Sequence, residues 1–299
     1  LGRDFEAAVN EEYNRNELMA EYISEIDQKV LNEFSCLACF SISTELDISH
    51  IKYIHSFGAG VNPFINHPKL NPAVMISRTV GLLGKKIAKY CLAYMLEDHQ
   101  EITANFIRQQ QKEWKQGHIR DMFNSSVAVL GTGEMGREIA ELLSKIGCRV
   151  FGINSNGQQH NPFSKCFSLE EFCTAPPEID TLISVLPSTE ETQGLLNEDF
   201  FRNLSEIHLI NVGRGDVIRE IDVRILLSSG KCRKITLDVF EQEPLSPESD
   251  LWLNRDVIIS PHQAAITDIN DVMMSFRKVN LTWESQTDSH LFVDLKKGY

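Results

Sequence analysis

The chain has no apolar run near the ~18 residues that suggest a membrane-spanning helix, and its first residues do not follow the basic-then-apolar order of a secretion signal. Positive charge is scarce: 29 Lys and Arg against 42 Asp and Glu leave a formal net charge of −13. Such a balance argues against nucleic-acid and anionic-membrane partners, which are held through basic surface. Internal repeats, low-complexity tracts and Ser/Gly linkers are absent, which sets aside solenoids and tethered modules. Seven cysteines, an odd number at irregular spacing, fit reduced thiols better than a disulfide framework. These absences lead to the expectation of a soluble, cytoplasmic protein.

What is present is enough for two modest cores, since the chain has 299 residues of which 42% are hydrophobic. Residues 1 to 30 are acidic, and Phe5, Val9, Leu18, Met19, Tyr22 and Ile26 recur at helical spacing. Strands are predicted at Cys36–Ser41 and Tyr53–Phe57, the second running into Gly58-Ala59-Gly60, whose backbone N–H groups can approach a ligand. Ile87, Tyr90, Cys91, Tyr94, Met95 and Ile102 predict one long helix from about Gly84 to Gln111. Cys36-x-x-Cys39 lacks the second ligand pair that zinc requires and reads as core packing in a strand. His50 and His55 read as surface or turn residues, and Glu11 with Glu12 as a solvated face.

The best organised stretch begins at Val127–Leu130, a short apolar run followed at once by Gly131-Thr-Gly-Glu-Met-Gly136. Ile139, Leu142, Leu143 and Ile146 then recur at helical spacing, and Cys148–Ile153 returns as a strand. A lone glycine pattern is weak, but strand, loop, helix and strand in this order predict dinucleotide binding. Gly131 permits the tight turn, Gly133 lets the pyrophosphate approach, and Gly136 packs helix on strand. The N–H groups of Glu134, Met135 and Gly136 open the helix, where the dipole favours an anion. The second strand ends in Asn154-Ser155-Asn156, with no acid to repel a 2′-phosphate and no adjacent cation to attract one. NADP(H) is favoured on that ground, and NAD(H) stays open.

Further strands are predicted at Thr181–Leu186, His208–Val212, Ile235–Val239 and Val257–Ser260, mostly with helices between, which implies an α/β, doubly wound parallel sheet. Arg214, Glu243 and His262 each lie at or just past the end of one of these apolar runs, the edge where open parallel sheets gather their chemistry. An arginine suits a carboxylate, an imidazole suits proton transfer, and a carboxylate beside the imidazole tunes it. Separately each has an ordinary reading: a solvated turn, a loop cap, a structural histidine. Together they point to an enzyme acting on a small keto or hydroxy acid.

Gly131–Gly136, Leu186-Pro-Ser-Thr-Glu-Glu-Thr192, Asn211-Val-Gly-Arg-Gly215, Leu237-Asp-Val-Phe-Glu-Gln-Glu-Pro-Leu245 and Ser260-Pro-His262, taken in order, resemble the D-2-hydroxyacid dehydrogenase family. The fullest likeness is to its short glyoxylate/hydroxypyruvate reductase A group, through Pro244-Leu-Ser-Pro-Glu-Ser-Asp-Leu-Trp252, Pro261-His-Gln-Ala-Ala-Ile-Thr267 and the terminal Gly298-Tyr299. The resemblance implies a Rossmann-type cofactor domain at residues 79–267 and a smaller, flavodoxin-like α/β substrate domain from 1–78 with 268–299. It implies NAD(P)H-dependent reduction of a short 2-keto acid to the D-2-hydroxy acid, in a homodimer. Arg214 would bind the substrate, His262 would act as general acid and base, and Glu243 would tune His262. Ala59 and Gly60 would hold the substrate carboxylate through backbone amides. Leu186, Pro187, Thr192, Val212, Gly213, Asp238, His262 and Ala264 would lie along the cofactor, Asp238 at the nicotinamide carboxamide. Arg78 would serve a salt bridge near the domain junction. The first half matches more loosely, and Lys89 stands where relatives often place an acid. The same trio also occurs in a dinucleotide-sensing corepressor branch, the alternative kept beside the enzyme; formate and phosphoglycerate dehydrogenases fit the pattern less well.

Overall fold

A computed structural model describes residues 26–79, 82–282 and 292–295. Most of the acidic opening helix pattern and the terminal Gly298-Tyr299 lie outside the described residues. The chain divides into two compact units, Leu1–Leu83 with Thr267–Tyr299, and Gly84–Ile266.

The second unit is a seven-stranded, wholly parallel sheet built from β4 (Ser126–Leu130), β5 (Arg149–Asn154), β6 (Lys165–Ser168), β7 (Thr181–Ser184), β8 (Ile207–Asn211), β9 (Cys232–Leu237) and β10 (Val257–Ile259), in the order β10-β9-β8-β7-β4-β5-β6. This is the doubly wound, Rossmann-type arrangement. Successive strand residues point to opposite faces, so Ala128 and Leu130 join one apolar core while Val127 and Val129 join the other. Both faces are covered, which is why the strands read as continuous apolar runs instead of alternating ones. Chain order reverses between β4 and β7, the switch point at which such sheets open a crevice for ligands.

Helix Glu134–Lys145 buries Gly136, Ile139, Ala140 and Leu143 on the sheet, close to the predicted stripe. The predicted long helix is two: Leu82–His99 and Ile102–Gln111, separated at Glu101, whose φ is 49°. The break follows from side chains that periodicity does not register. Glu97 and Asp98 are drawn onto β9, where Lys234 Nζ lies 2.6 Å from Glu97 and Arg233 Nη2 lies 2.5 Å from Asp98. Glu101 then accepts from Arg108 at 2.7 Å and from the His118 N–H at 2.8 Å. No helix among the described residues is long and apolar enough to cross a membrane.

The first unit holds a three-stranded parallel sheet, β1 (Cys36–Cys39), β2 (Tyr53–Ser56) and β3 (Met75–Arg78), in that order, over a core of Leu31, Ile48, Ile51 and Phe64. Phe292 bridges Ser77 and the Val293 N–H donates to the Ile76 carbonyl at 2.8 Å, so the end of the chain returns to this unit. Cys36 is exposed in its strand, unlike the core position expected for it, whereas Cys39 is partly buried and burial pushes its thiol up to about 12.

His55 also departs from expectation: it is fully buried in β2, with Nδ1 2.7 Å from the Ser77 hydroxyl. Burial lowers it from 6.5 to about 4. His208 in β8 is lowered to about 3, by burial first and then by Lys234, His99 and Arg120, against the pull of Asp98. His208 is therefore neutral, and its 3.7 Å approach to Asp98 is not an ion pair. Depressed histidines contribute stability that is complete above their unfolded value of 6.5 and is lost as pH falls towards their folded values. The melting temperature should fall as pH drops from roughly 6.5 to 4, and His55→Gln should flatten part of that fall; an unchanged slope would remove His55 from the account.

Candidate active site

The glycine loop closes β4. Gly131 adopts φ 109° and donates its N–H to Ile153 at 2.9 Å, a left-handed turn suited to glycine. A Cβ on Gly136 would meet the Gly131 carbonyl, whereas one on Gly133 would meet nothing within 4 Å. The loop thus packs tightly where helix meets strand and stays open where a ligand would approach. No side chain caps the helix at Gly133, and the first turn of a helix, which here holds Glu134, Met135 and Gly136, is a setting that suits an anion. These features fit the pyrophosphate of a dinucleotide.

Four loops leave the neighbouring strands β7 to β10 at the same sheet edge. After β7, the Thr192 hydroxyl donates to the Pro187 carbonyl at 2.7 Å and accepts from the Thr189 N–H at 2.9 Å, which fixes the segment from Leu186. Ser188 adds a short hydrogen bond to Asp216. After β8, Asn211 donates to the Arg214 carbonyl at 2.9 Å and accepts from the Gly213 N–H at 3.3 Å. The glycines flanking Arg214 answer to crowding: a Cβ on Gly213 would run into the Leu186 backbone, and one on Gly215 into the Phe240 backbone. Val212 continues the sheet through an N–H bond to Ser184 at 3.0 Å. Arg214 is half-buried, with Nη1 donating to the Gly213 carbonyl at 2.7 Å.

After β9 and β10 come Glu243 and His262, which the structure brings together. Glu243 Oε1 accepts from the Phe240 N–H at 3.0 Å, and Oε2 lies 2.7 Å from His262 Nδ1. A carboxylate only accepts, so Nδ1 carries the hydrogen of this contact and Nε2 is the ring nitrogen not committed to Glu243. The His262 side chain is 55% exposed. Its backbone has φ 51°, a left-handed conformation that non-glycine residues adopt only when held there.

Asp238 does the holding. It is buried, and its backbone carbonyl accepts from the His262 N–H at 2.8 Å. Its carboxylate accepts from the Gln263 N–H at 2.9 Å, the Ala264 N–H at 2.8 Å and the Ser260 hydroxyl at 2.5 Å. Tyr90 extends the chain with a 2.5 Å contact to Ser260. Sequence reasoning assigned Asp238 to the nicotinamide and passed over Ser260 and Tyr90; the structure shows Asp238 at the centre of the turn that presents His262.

At the end of β5, Asn154 is less free than its type suggests. Its amide donates to Thr132 at 3.1 Å and to Gln158 at 2.9 Å, and its oxygen accepts from Asn156. Both amide hydrogens are thus occupied, which leaves Ser155 and Asn156 as the exposed polar side chains of this turn. Ala59 and Gly60 belong to the first unit, in the bend after β2, where Ser56 donates to the Gly60 carbonyl at 2.8 Å.

Comparison with known proteins agrees with this geometry. A family profile described as D-isomer specific 2-hydroxyacid dehydrogenase, NAD binding domain, matches residues 92–264. Glyoxylate/hydroxypyruvate reductase A of Serratia proteamaculans (strain 568) is 28% identical over 83% of this chain and 82% of its own. Among solved structures, the NADPH-dependent glyoxylate/hydroxypyruvate reductase of Sinorhizobium meliloti, in complex with NADP and sulfate, superposes with a TM-score of 0.81 at 27% identity, covering 89% of this chain and 86% of that one. A probable 2-hydroxyacid dehydrogenase of Rhizobium etli CFN 42, in complex with NADP, HEPES and tartaric acid, gives 0.79 at 26% identity, over 88% and 86%. The chain belongs to the D-isomer specific 2-hydroxyacid dehydrogenases.

Proposed function

We propose that this protein reduces a short 2-keto acid of the glyoxylate or hydroxypyruvate type to the D-2-hydroxy acid, with NADPH as the preferred reductant. The observation that carries this reading is the 2.7 Å pair of Glu243 with His262 on the sheet edge that also bears Arg214 and the glycine loop. The names of the Serratia and Sinorhizobium relatives support the substrate class, and the NADP found with two of the solved relatives supports the cofactor.

In this reading Gly84–Ile266 is the cofactor domain, and the other unit is the substrate domain, to which Ala59 and Gly60 contribute backbone N–H groups. Gly131–Gly136 and the first turn of helix Glu134–Lys145 hold the pyrophosphate, with the segments at Leu186–Thr192 and Val212–Gly213 along the rest of the cofactor. A bound reduced nicotinamide supplies the hydride. Arg214 binds the substrate carboxylate through its planar fork, a geometry lysine does not reproduce. His262 Nε2 delivers a proton to the carbonyl oxygen as hydride reaches the carbon, and takes it back in the oxidative direction. Glu243 keeps the imidazole in the tautomer and orientation that this transfer needs.

A panel of 2-keto acids assayed with both reductants tests the proposal. Loss of nicotinamide absorbance is expected with glyoxylate and hydroxypyruvate, with kcat/KM for NADPH about tenfold or more above that for NADH, the equivalent of one charged contact. Absence of turnover across the panel would overturn it. A homodimer through the cofactor domain belongs to the same reading. Ile102, Phe106, Ile107, Trp114 and Phe123 are large apolar side chains of that unit left exposed, of the kind that a subunit interface covers. Sedimentation giving the monomer mass at micromolar concentration would contradict it. Seven free thiols accord with a cytoplasmic setting.

A further inference from the structure

We propose that Arg137, with His160 beside it, is the cation that recognises the 2′-phosphate of NADPH. This inference rests on the NADPH reading above and names the residues behind it. The sequence around Asn154 presents no arginine or lysine, yet the fold supplies a cation from another element. Arg137 follows the third glycine of the loop, in the first turn of helix Glu134–Lys145. Its Nε donates to the Thr132 carbonyl at 3.2 Å, which draws the side chain back over the loop, and Nη2 lies 3.4 Å from His160 Nδ1. Thr132 in turn accepts from Asn154, the last residue of β5. Arg137 and His160 are therefore tied to the end of the strand at which a dinucleotide's adenosine ribose is read.

The surrounding groups favour an anion at this place. Asn154 stands where an acid would exclude a 2′-phosphate, and its amide is committed to Thr132 and Gln158. One carboxylate, Glu171, comes close to Gly157, but its Oε2 accepts from the Ser168 N–H at 2.8 Å within a capping box. The guanidinium has five N–H donors and directs one at Thr132 and one at His160, which leaves others in the planar fork that suits phosphate oxygens. It is solvent-exposed, so a phosphate can reach it without displacing packed side chains.

Direct binding separates this inference from the reading beneath it. Calorimetry with NADPH, NADH, adenosine 2′,5′-bisphosphate and 5′-AMP is run on the wild-type protein and on Arg137→Ala and Arg137→Lys, with thermal melts confirming that each variant is folded. The wild-type protein should bind the 2′-phosphorylated member of each pair more tightly, and this preference should shrink as salt rises. Arg137→Ala should reduce the preference about tenfold or more, Arg137→Lys should restore part of it, and His160→Ala should lose less. A wild-type preference that survives unchanged in Arg137→Ala would overturn the role of Arg137 and leave the NADPH reading standing. A wild-type protein with no preference would overturn both.

Discussion

Replacing His262 with alanine should lower kcat by about 10²–10⁴, the span attributed to a positioned general acid, while the dissociation constant for NADPH changes by no more than a few-fold. His262 Nδ1 is 2.7 Å from a carboxylate that only accepts, which in the proposed reading leaves Nε2 to carry the proton to a substrate oxygen. Removing the ring removes that proton source, whereas the glycine loop and the helix behind it are untouched. Alanine at a φ of 51° also carries backbone strain. His262→Asn is therefore the sharper variant, because asparagine tolerates the left-handed region and cannot transfer a proton in this range. Loss of turnover in both variants, with the melting temperature of the asparagine form preserved, isolates the chemistry from the fold. Near-normal turnover in His262→Asn would show that another group donates the proton.

The elements that carry the cofactor site were legible because buried parallel strands announce themselves as short apolar runs, and the chemistry follows where each run ends. Arg214, Glu243 and His262 could be placed on one edge from that logic alone. Their support could not: the partners of the Asp238 carboxylate stand 22 to 26 residues away in the chain, and two of them are backbone N–H groups, which leave no mark on composition. Strand β6 was missed because Lys-Cys-Phe-Ser offers only two buried residues at a sheet edge. Strand β3, Met-Ile-Ser-Arg, is as short, and its Ser77 is buried among polar partners. His55 was misjudged for the same reason, since Ser77 lies 22 residues further on. The break at Glu101 depends on Arg108 and His118, and periodicity is blind to both. Arg137 illustrates the limit most directly: a search for a cation next to Asn154 in sequence overlooks one that the fold delivers from the preceding helix.

Asp238→Ala should be the most destabilising single change at the site, costing about 3–5 kcal/mol, the range for removing one side of a buried, charged hydrogen-bond network. For a protein of this size that is a fall of roughly 5–8 °C in melting temperature. Asp238 is buried, and it gathers two backbone N–H groups and the Ser260 hydroxyl. Alanine would leave those donors facing an apolar gap. Asp238→Asn keeps the volume but replaces one acceptor oxygen with an NH₂ group, which would then face the N–H of Gln263 or Ala264, donor against donor. Its loss of stability should be smaller than that of alanine. Its loss of turnover should exceed that of Tyr90→Phe, which alters only the outer hydroxyl on Ser260. The two roles open to Asp238 separate in the binding data. If its work is to hold the left-handed turn at His262, kcat falls in Asp238→Asn while NADPH affinity is largely kept; a carboxylate touching the nicotinamide would weaken NADPH in step with kcat. Retention of full stability in Asp238→Ala would refute the anchoring role, because no other acceptor described near these groups takes both N–H bonds. In the proposed reading the turn at His262 therefore ties fold to chemistry: the Asp238 carbonyl takes the N–H of His262 and its carboxylate takes those of the two residues that follow, so the imidazole is presented by a turn that one buried residue anchors.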